Sequence, residues 1–340
     1  METKRIVWVD YAKVMAIYLV VVVPANCDPL LTKVLKDFLM PVFFVVSGYL
    51  FSAERNPAYG PFAWKRFRQL IVPYLWINAL AYIAWLLVLR HYGSDAESGV
   101  AWHSPLRGIL TGTAPLLVHD IPLWSLVSFF VVEMVYYPLR RAGASPVAIA
   151  AGAAMVLGMA YELIPGVLWQ LPLALGPSAA GLIFYALGNE WRRLSALHSR
   201  ADSYVFSPWT VAVAAGLFAF ASWRNGQVSF YTSYYDNYFL FLLAAVSGSL
   251  VVVNVARVLA VAFGEGRFLR FLSAGTLLIC GFHLLAFAAI KGVALFVFGI
   301  DPGSLTDGLV RGLAFATAAF LLTLPAVWIV RRYMRPLVDK

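Results

Sequence analysis

The chain has 340 residues, of which 61% are hydrophobic and 13% charged, and its formal net charge is +9. A soluble domain carries about a quarter charged residues, so a soluble globule of this composition would expose more apolar surface than water tolerates. The composition therefore excludes a soluble enzyme, a disordered tail and a disulfide scaffold. It predicts an all-α, polytopic membrane protein. The two cysteines, Cys27 and Cys280, lie in apolar surroundings and are expected to pack as small hydrophobic residues.

Ten apolar stretches are long enough for a helix to cross a bilayer, which takes about 20 residues. In chain order they lie near residues 6–25, 34–53, 69–89, 121–139, 146–164, 168–190, 208–223, 238–263, 272–298 and 308–330. Pro172, Gly176 and Pro177 interrupt the sixth stretch, so that helix is either broken or begins later. No hinge separates two parts of the sequence, and we expect one integral-membrane domain over residues 1–340.

The basic residues are distributed unevenly around these stretches. If the N-terminus is cytoplasmic, 18 of the 26 Lys and Arg residues flank the cytoplasmic ends and 7 flank the outer ends. Basic residues concentrate on the cytoplasmic side of membrane proteins, so both termini are predicted to be cytoplasmic. The net charge then indicates contact with membrane lipids and not with nucleic acid. A basic group that binds an anionic cytoplasmic ligand is the alternative use of the same residues.

The longest connection covers roughly residues 90–120 and is too polar to be a span. It is expected on the outer side, and it ends with His119 and Asp120 just before the fourth stretch. A connection of this length in a compact membrane protein either has a function or covers the bundle.

Ionisable residues inside membrane spans are costly and often mark function. Asp10 and Lys13 are three residues apart in the first stretch and share a helix face. They either form an intrahelical ion pair or belong to a site. Glu133 lies in the fourth stretch and His283 in the ninth. His283 is either a hydrogen-bonded structural residue or a base.

The segments around these residues resemble acyltransferase family 3, most closely its fucose 4-O-acetylase-like branch. The most specific match is the second-stretch segment FLMPVFFVVSGYL, residues 38–50. The other matching segments follow in family order: VWVDYAK at 7–13, KRFRQLIVPY at 65–74, PLWSL at 122–126, FYALG at 184–188, and residues 277–283. Together they extend over nearly the whole chain.

The resemblance implies an integral-membrane O-acyltransferase with about ten transmembrane helices in a bacterial-type inner (plasma) membrane. Such proteins take an acyl group, usually acetyl, from acyl-CoA on the cytoplasmic side. They transfer it to a hydroxyl of a cell-envelope sugar or lipid-linked glycan, and acyl-CoA is the donor substrate without a metal. A base helps the weakly nucleophilic hydroxyl to react, and fixed donors stabilise the oxyanion of the thioester carbonyl.

The same resemblance assigns roles to individual residues. Lys13 occupies the central basic position, and Arg66 and Arg68 are expected to bind the donor phosphates, which arginine suits well. Plain anchoring on the cytoplasmic side is the alternative for these two arginines. Asp10 and His283 are further candidates for the catalytic machinery. The candidate substrate-binding residues are Trp124, Ser125, Tyr185, His119 and Asp120.

Two departures from the family pattern bear on activity. Pro24 stands where the resemblance expects a histidine after Lys13, and Leu39 stands where it expects the second-stretch histidine. Either the base is supplied from elsewhere, with His283 or His119 and Asp120 as candidates, or the chain is an inactive relative that binds a ligand or partner. A transporter or lipid flippase is a third alternative, because polar residues in spans and an interrupted helix also suit transport.

Overall fold

The computed structural model describes residues 5–92, 96, 98–164, 166–198, 200–334 and 337. Lys4, Arg335 and Lys340, which belong to the charge count above, lie outside these residues. The helices of the described part are α1 Val7–Val22, α2 Pro29–Leu50, α3 Tyr59–Arg66, α4 Val72–Leu87, α5 Ser104–Thr111, α6 Trp124–Arg141, α7 Pro146–Leu163, α8 Leu175–Leu197, α9 Ala201–Val205, α10 Pro208–Arg224, α11 Tyr238–Phe263, α12 Arg267–Phe296 and α13 Leu309–Tyr333.

Each of the ten predicted stretches coincides with one long helix, in the predicted order. Within the described residues, seven helices are long and apolar enough to cross a membrane. These seven do not include α2, α8 and α10. The first two carry charged residues near one end, and α10 has only 17 residues. The prediction of an all-α, polytopic membrane fold is confirmed.

Three helix boundaries differ from the sequence-based expectation. The sixth stretch is not helical from residue 168: α8 begins at Leu175, after a 3₁₀ turn in which Leu173 has a φ of 56°. Pro172 keeps the preceding Leu171 extended, and Leu173 and Ala174 both have positive φ, so a continuous α-helix begins only at Leu175. In the third stretch, a π-helical turn at Phe67–Ile71 joins α3 and α4 into one continuous rod that begins at Tyr59. Asp28 caps α2, which begins at Pro29, earlier than expected.

Helices α2 and α8 cross at unusually short range through two glycines. A Cβ atom on Gly48 would lie 1.9 Å from the carbonyl oxygen of Tyr185, and one on Gly188 would lie 2.0 Å from that of Val45. Small residues let membrane helices approach closely. The side-chain amide of Asn189 donates to the carbonyl of Gly48 over 3.1 Å and thereby fixes the crossing. Part of the second-stretch motif is therefore structural.

The last part of the longest connection packs into the bundle, while the preceding α5 keeps Leu106 and Leu110 exposed. In this re-entrant segment, residues 104–123, Leu117, Asp120 and Leu123 have no exposed surface. The hydroxyl of Tyr74 in α4 donates to the carbonyl of Ile109 over 2.8 Å. The backbone polar groups of such a buried irregular segment need partners from the surrounding protein or from a cavity that it lines. The connection is thus more than a solvated cover.

Candidate functional site

A cavity of about 1320 Å³ opens at the end of the bundle where α1 begins and α2 and α8 end. This arginine cavity is larger than the several hundred Å³ typical of small-molecule sites. Its charged lining residues are seven bases, Lys13, Arg5, Arg55, Arg140, Arg192, Arg193 and Arg257, and three acids, Asp10, Glu54 and Asp202. The excess of basic groups suits an anionic ligand with more than one charge.

Asp10 lines the arginine cavity and is fully engaged. The guanidinium of Arg5 donates to its two carboxylate oxygens over 2.5 and 3.0 Å. The hydroxyl of Ser273 in α12 donates to the same carboxylate over 2.5 Å. The alternative that Asp10 forms an ion pair with Lys13 is therefore wrong, because Arg5 takes that place. Asp10 ties α1 to α12 at the cavity wall.

Lys13 also lines the arginine cavity, one helical turn deeper than Asp10. Its ammonium lies within electrostatic reach of Asp10 and Arg66. It forms no hydrogen bond or ion pair with a described residue. A positive charge at this depth, without a carboxylate directly on it, is available to a ligand that enters the cavity.

Two of the cavity arginines rest on aromatic rings. The Arg192 guanidinium lies 5.3 Å from the ring centroid of Tyr49, and that of Arg257 lies 5.5 Å from the ring of Phe206. Neither forms an ion pair with a carboxylate of the described chain. Cation–π contact orients a guanidinium without neutralising it. Both groups therefore keep their full charge for a ligand.

Arg66 and Arg68, expected to bind the donor, do not line the arginine cavity. Arg66 donates to the carboxylate of Glu133, with 2.5 Å between Nη2 and Oε1, and to the side-chain oxygen of Gln69 over 2.7 Å. Tyr185, a predicted substrate residue, donates to Glu133 over 3.4 Å. Arg68 is exposed. The Arg66 guanidinium is thus already hydrogen-bonded to other side chains of the protein. The roles of Arg66 and Arg68 in donor binding stay predictions.

Two other predicted substrate residues lie away from the cavity. Trp124 is buried, with its ring 5.9 Å from that of Phe230. Ser125 donates to the carbonyl of Pro122 over 2.8 Å, so its hydroxyl is engaged with the backbone just before α6. Both begin α6 next to the re-entrant segment, at the opposite end of that helix from the arginine cavity.

The two positions that lack the family histidines differ in environment. Pro24 is exposed in a 3₁₀ turn after the end of α1. Leu39 is buried within α2. Neither lines the arginine cavity, and neither side chain offers a proton acceptor.

His119, Asp120 and His283 lie deep in the bundle, and the first two belong to the re-entrant segment. Burial lowers the pKa of His119 to about 4 and raises that of Asp120 well above its usual value. The His119 imidazole is therefore neutral at neutral pH, and burial favours the uncharged form of the Asp120 carboxyl. Within the described part of the chain, no three His, Cys, Asp or Glu residues converge as a metal site.

Several residues of these sites were not singled out from the sequence. Arg192, Arg193 and Arg257 entered only the topology count, because charge near a span end has the same appearance whether or not it lines a cavity. Asn78, whose side chain contacts His119, was also missed. A signal for it was present, since it is an amide within an otherwise apolar stretch.

The comparisons with known proteins agree with this architecture. The family model of acyltransferase family 3, described as an acyltransferase domain, matches residues 6–332. No curated protein and no solved structure matches the chain. The matched region covers all thirteen described helices except the last residue of α13. The chain therefore belongs to acyltransferase family 3, a family of membrane acyltransferases.

Proposed function

We propose that this protein transfers an acetyl group from acetyl-CoA to a hydroxyl of a cell-envelope sugar or lipid-linked glycan. The observation that carries the proposal is the arginine cavity, where seven basic side chains face three acidic ones. CoA carries several phosphate groups, and guanidinium groups bind phosphate through charge-assisted hydrogen bonds. The excess of basic residues at this end supports a cytoplasmic position for the cavity, which is where acyl-CoA is available.

The cavity supports a division of labour among its basic groups. Arg192 and Arg257, exposed lining residues on α8 and α11, would hold the phosphates. Lys13 lies deeper on α1, where the thioester end of the donor would extend. Its ammonium would stabilise the negative charge that develops on the thioester carbonyl oxygen during attack. Asp10 is a positioning residue, because it acts through Arg5 and Ser273.

Donor binding is tested with purified protein in nanodiscs and acetyl-CoA, by calorimetry. We expect the double variant Arg192→Gln/Arg257→Gln to raise the Kd for acetyl-CoA by about tenfold or more, since charge-assisted hydrogen bonds contribute about 1.5–3 kcal/mol each. The matched control is Arg267→Gln, an exposed arginine at the same end of the bundle that does not line the cavity. Equal affinity of the double variant and the wild type would overturn the assignment of the cavity.

Acyl transfer is tested separately with radiolabelled acetyl-CoA and envelope extract. Protein-dependent incorporation of label into sugar or glycan supports the proposal. Absence of incorporation, together with intact donor binding, favours a second candidate function, an inactive relative that binds its ligand without transfer. The observation in favour of that candidate is the lack of a proton acceptor at both Pro24 and Leu39.

Restored histidines distinguish the two functions. If the chain is an inactive relative, Pro24→His/Leu39→His is expected to gain transfer activity from a wild type that has none. If it is an enzyme with a relocated base, the wild type is already active and the double variant adds little. Pro24 is exposed and does not line the arginine cavity, so a histidine at this position would not face the donor. We therefore expect the second result.

A further inference from the structure

Two buried histidines each leave one ring nitrogen without a partner in the described chain. The Nε2 atom of His119 lies 2.9 Å from the side-chain oxygen of Asn78, whose amide donates to the carbonyl of Tyr74 over 2.7 Å. Because the Asn78 oxygen can only accept, Nε2 of His119 carries the proton. Its Nδ1 atom is then a bare acceptor, buried and unpaired.

His283 shows the opposite arrangement. Its Nδ1 atom lies 2.7 Å from the carbonyl oxygen of Cys280, which can only accept, so Nδ1 carries the proton. Its Nε2 atom is the bare acceptor and is also buried without a partner among the described residues. The His283 side chain has no exposed surface.

Asp120 is the third unpaired group. Both of its carboxylate oxygens are buried and lack a hydrogen-bond partner in the described chain. A protonated carboxyl can both donate and accept. Buried polar groups in native proteins nearly always have partners, and exceptions require an explanation such as a catalytic role or a bound group.

These groups belong to neighbouring elements. The thiol of Cys280 in α12 lies 3.9 Å from the carbonyl oxygen of Pro122, two residues after Asp120. A Cβ atom on Gly281 would lie 2.7 Å from Ile77, the residue before Asn78 in α4. The polar cluster, defined as Asn78, His119, Asp120 and His283, is thus held where α4, α12 and the re-entrant segment pack together.

Helix α12 connects the polar cluster to the arginine cavity. Ser273 lines the cavity, and His283 follows ten residues later in the same helix. At 1.5 Å per residue the two positions are about 15 Å apart along the helix axis. A donor anchored in the arginine cavity would have to extend its thioester arm past Lys13 in this direction.

We propose that the polar cluster is the acceptor side of the reaction and takes an uncharged, polyhydroxylated substrate, with His283 as the base. This inference rests on the proposed function and names the residues that replace the missing histidines. The two bare nitrogens require hydrogen-bond donors, and two hydroxyl groups of a sugar supply them. The cluster is buried and contains no lysine or arginine that could neutralise an anionic acceptor, so an uncharged acceptor suits it.

The chemical step balances without a further reactant. The hydroxyl oxygen attacks the thioester carbonyl carbon, and its proton moves to Nε2 of His283. The carbon–sulfur bond breaks as the tetrahedral intermediate collapses, and the thiolate of CoA takes up the proton from the imidazolium. The products are the sugar ester and free CoA. His119 binds a second hydroxyl through Nδ1, with its ring oriented by Asn78.

The test compares donor binding with acetyl transfer in His283→Gln and His119→Gln. We expect both variants to bind acetyl-CoA within about twofold of the wild type. Transfer of label to envelope extract is expected to fall about 100-fold or more in His283→Gln, as for loss of a general base. The control is His103→Gln, because this histidine is exposed and precedes the same re-entrant segment. It is expected to behave as the wild type.

A melting temperature within about 3 °C of the wild type, measured on the same samples, separates a catalytic role from a purely structural one. Transfer at the wild-type rate in His283→Gln overturns the inference, and so does a loss of transfer that only follows a loss of folded protein. A wild type that binds acetyl-CoA but acylates nothing in the extract overturns the acceptor site alone. A wild type that does not bind acetyl-CoA overturns the proposed function as well.

Nitrogen chemical shifts supply a readout that does not depend on activity. The chain contains only five histidines, so labelling with ¹⁵N-histidine gives a resolvable spectrum. We expect a Nε2–H tautomer for His119 and a Nδ1–H tautomer for His283, assigned by the two variants. Addition of a neutral monosaccharide such as glucose, used as the probe, should shift both bare nitrogens. The reverse tautomers would contradict the proposed arrangement.

Discussion

The partly buried guanidinium of Arg66 and the buried carboxylate of Glu133 form an ion pair that joins α3 to α6. Gln69 and Tyr185 complete the hydrogen bonds of the pair. In the family resemblance Arg66 belongs to a segment that binds the donor, yet here its charge is already matched inside the protein. The arginine cavity, which neither Arg66 nor Glu133 lines, supplies the unmatched positive charge.

Removal of one partner of this ion pair should destabilise the protein strongly. Glu133→Gln leaves the partly buried Arg66 charge without its counter-ion; such changes cost about 3–5 kcal/mol in a fully buried pair, and the exposed quarter of the Arg66 side chain lowers the cost here. We expect a marked drop in the melting temperature in detergent. The exposed carboxylate of Glu54 provides the control, as Glu54→Gln should change the melting temperature little. Similar behaviour of the two variants would show that the pair contributes nothing to stability.

The glycine crossing of α2 and α8 predicts opposite effects for two alanine substitutions. Gly188→Ala places a methyl group 2.0 Å from the main-chain oxygen of Val45, so the helices must separate and stability falls. Gly216→Ala in α10 meets no atom within 4 Å and should raise stability slightly, because alanine favours helix by about 1 kcal/mol over glycine. Thermal unfolding of both variants is the measurement. A tolerated Gly188→Ala would contradict the close crossing.

Lys13 should affect transfer more than stability. Its ammonium forms no ion pair with a described residue, so Lys13→Met leaves no carboxylate without its partner. We expect acetyl transfer to fall by about 100-fold, the usual effect of losing one oxyanion donor, while the melting temperature is maintained. Lys65→Met, which removes an exposed lysine at the same end, is the control. A wild-type rate for Lys13→Met would exclude a role in the chemical step.

Stability should decrease in mildly acidic solution because of His119. Burial lowers its pKa in the folded protein to about 4, below the usual value of 6.5. Between these two values the unfolded chain binds a proton that the folded protein does not, so stability is lost as the pH falls from 6.5 towards 4. The raised pKa of Asp120 acts in the opposite direction, since it destabilises the folded protein above the usual value of 3.8.

The histidine contribution is isolated by comparison of variants. We expect the melting temperature of the wild type to fall more between pH 7 and pH 5 than that of His119→Asn, since the variant lacks the titrating group. His103→Asn, which removes an exposed histidine, should retain the full pH dependence. Identical pH profiles for all three proteins would show that His119 is not kept neutral by the fold.

The sequence predicted the helices well because the length of an apolar stretch is a local property. It also identified Asp10 and Lys13, since a charge inside a span is visible without knowledge of its neighbours. The sequence did not predict the partner of Asp10. Arg5 lies just before α1, so the direction of its side chain depends on tertiary contacts. The rim of the arginine cavity depends on contacts among α1, α8 and α11, which no local pattern reports.

The re-entrant segment shows the same limit. His119 and Asp120 were recognised as polar residues at the end of a long connection that was expected either to have a function or to cover the bundle, and their polarity did not indicate that both are buried. Their burial depends on the tyrosine at 74 and the asparagine at 78, which bind the segment from α4. The sequence interval between these partners is about 30 to 40 residues, so periodicity within one element does not reveal it.

The π-helical turn at Phe67–Ile71 joins α3 and α4 into one continuous helix. It sets the angle about the helix axis between two faces that contact other parts of the protein. One residue beyond the α-helical repeat rotates everything that follows by about 100°. Arg66, before the turn, faces Glu133, whereas Tyr74, after it, faces the re-entrant segment. Deletion of a single residue within the turn would retain Arg66 and Tyr74. It would, however, rotate one face relative to the other by more than a quarter of a revolution. In this part of the chain, residue spacing is therefore as much a functional constraint as residue identity.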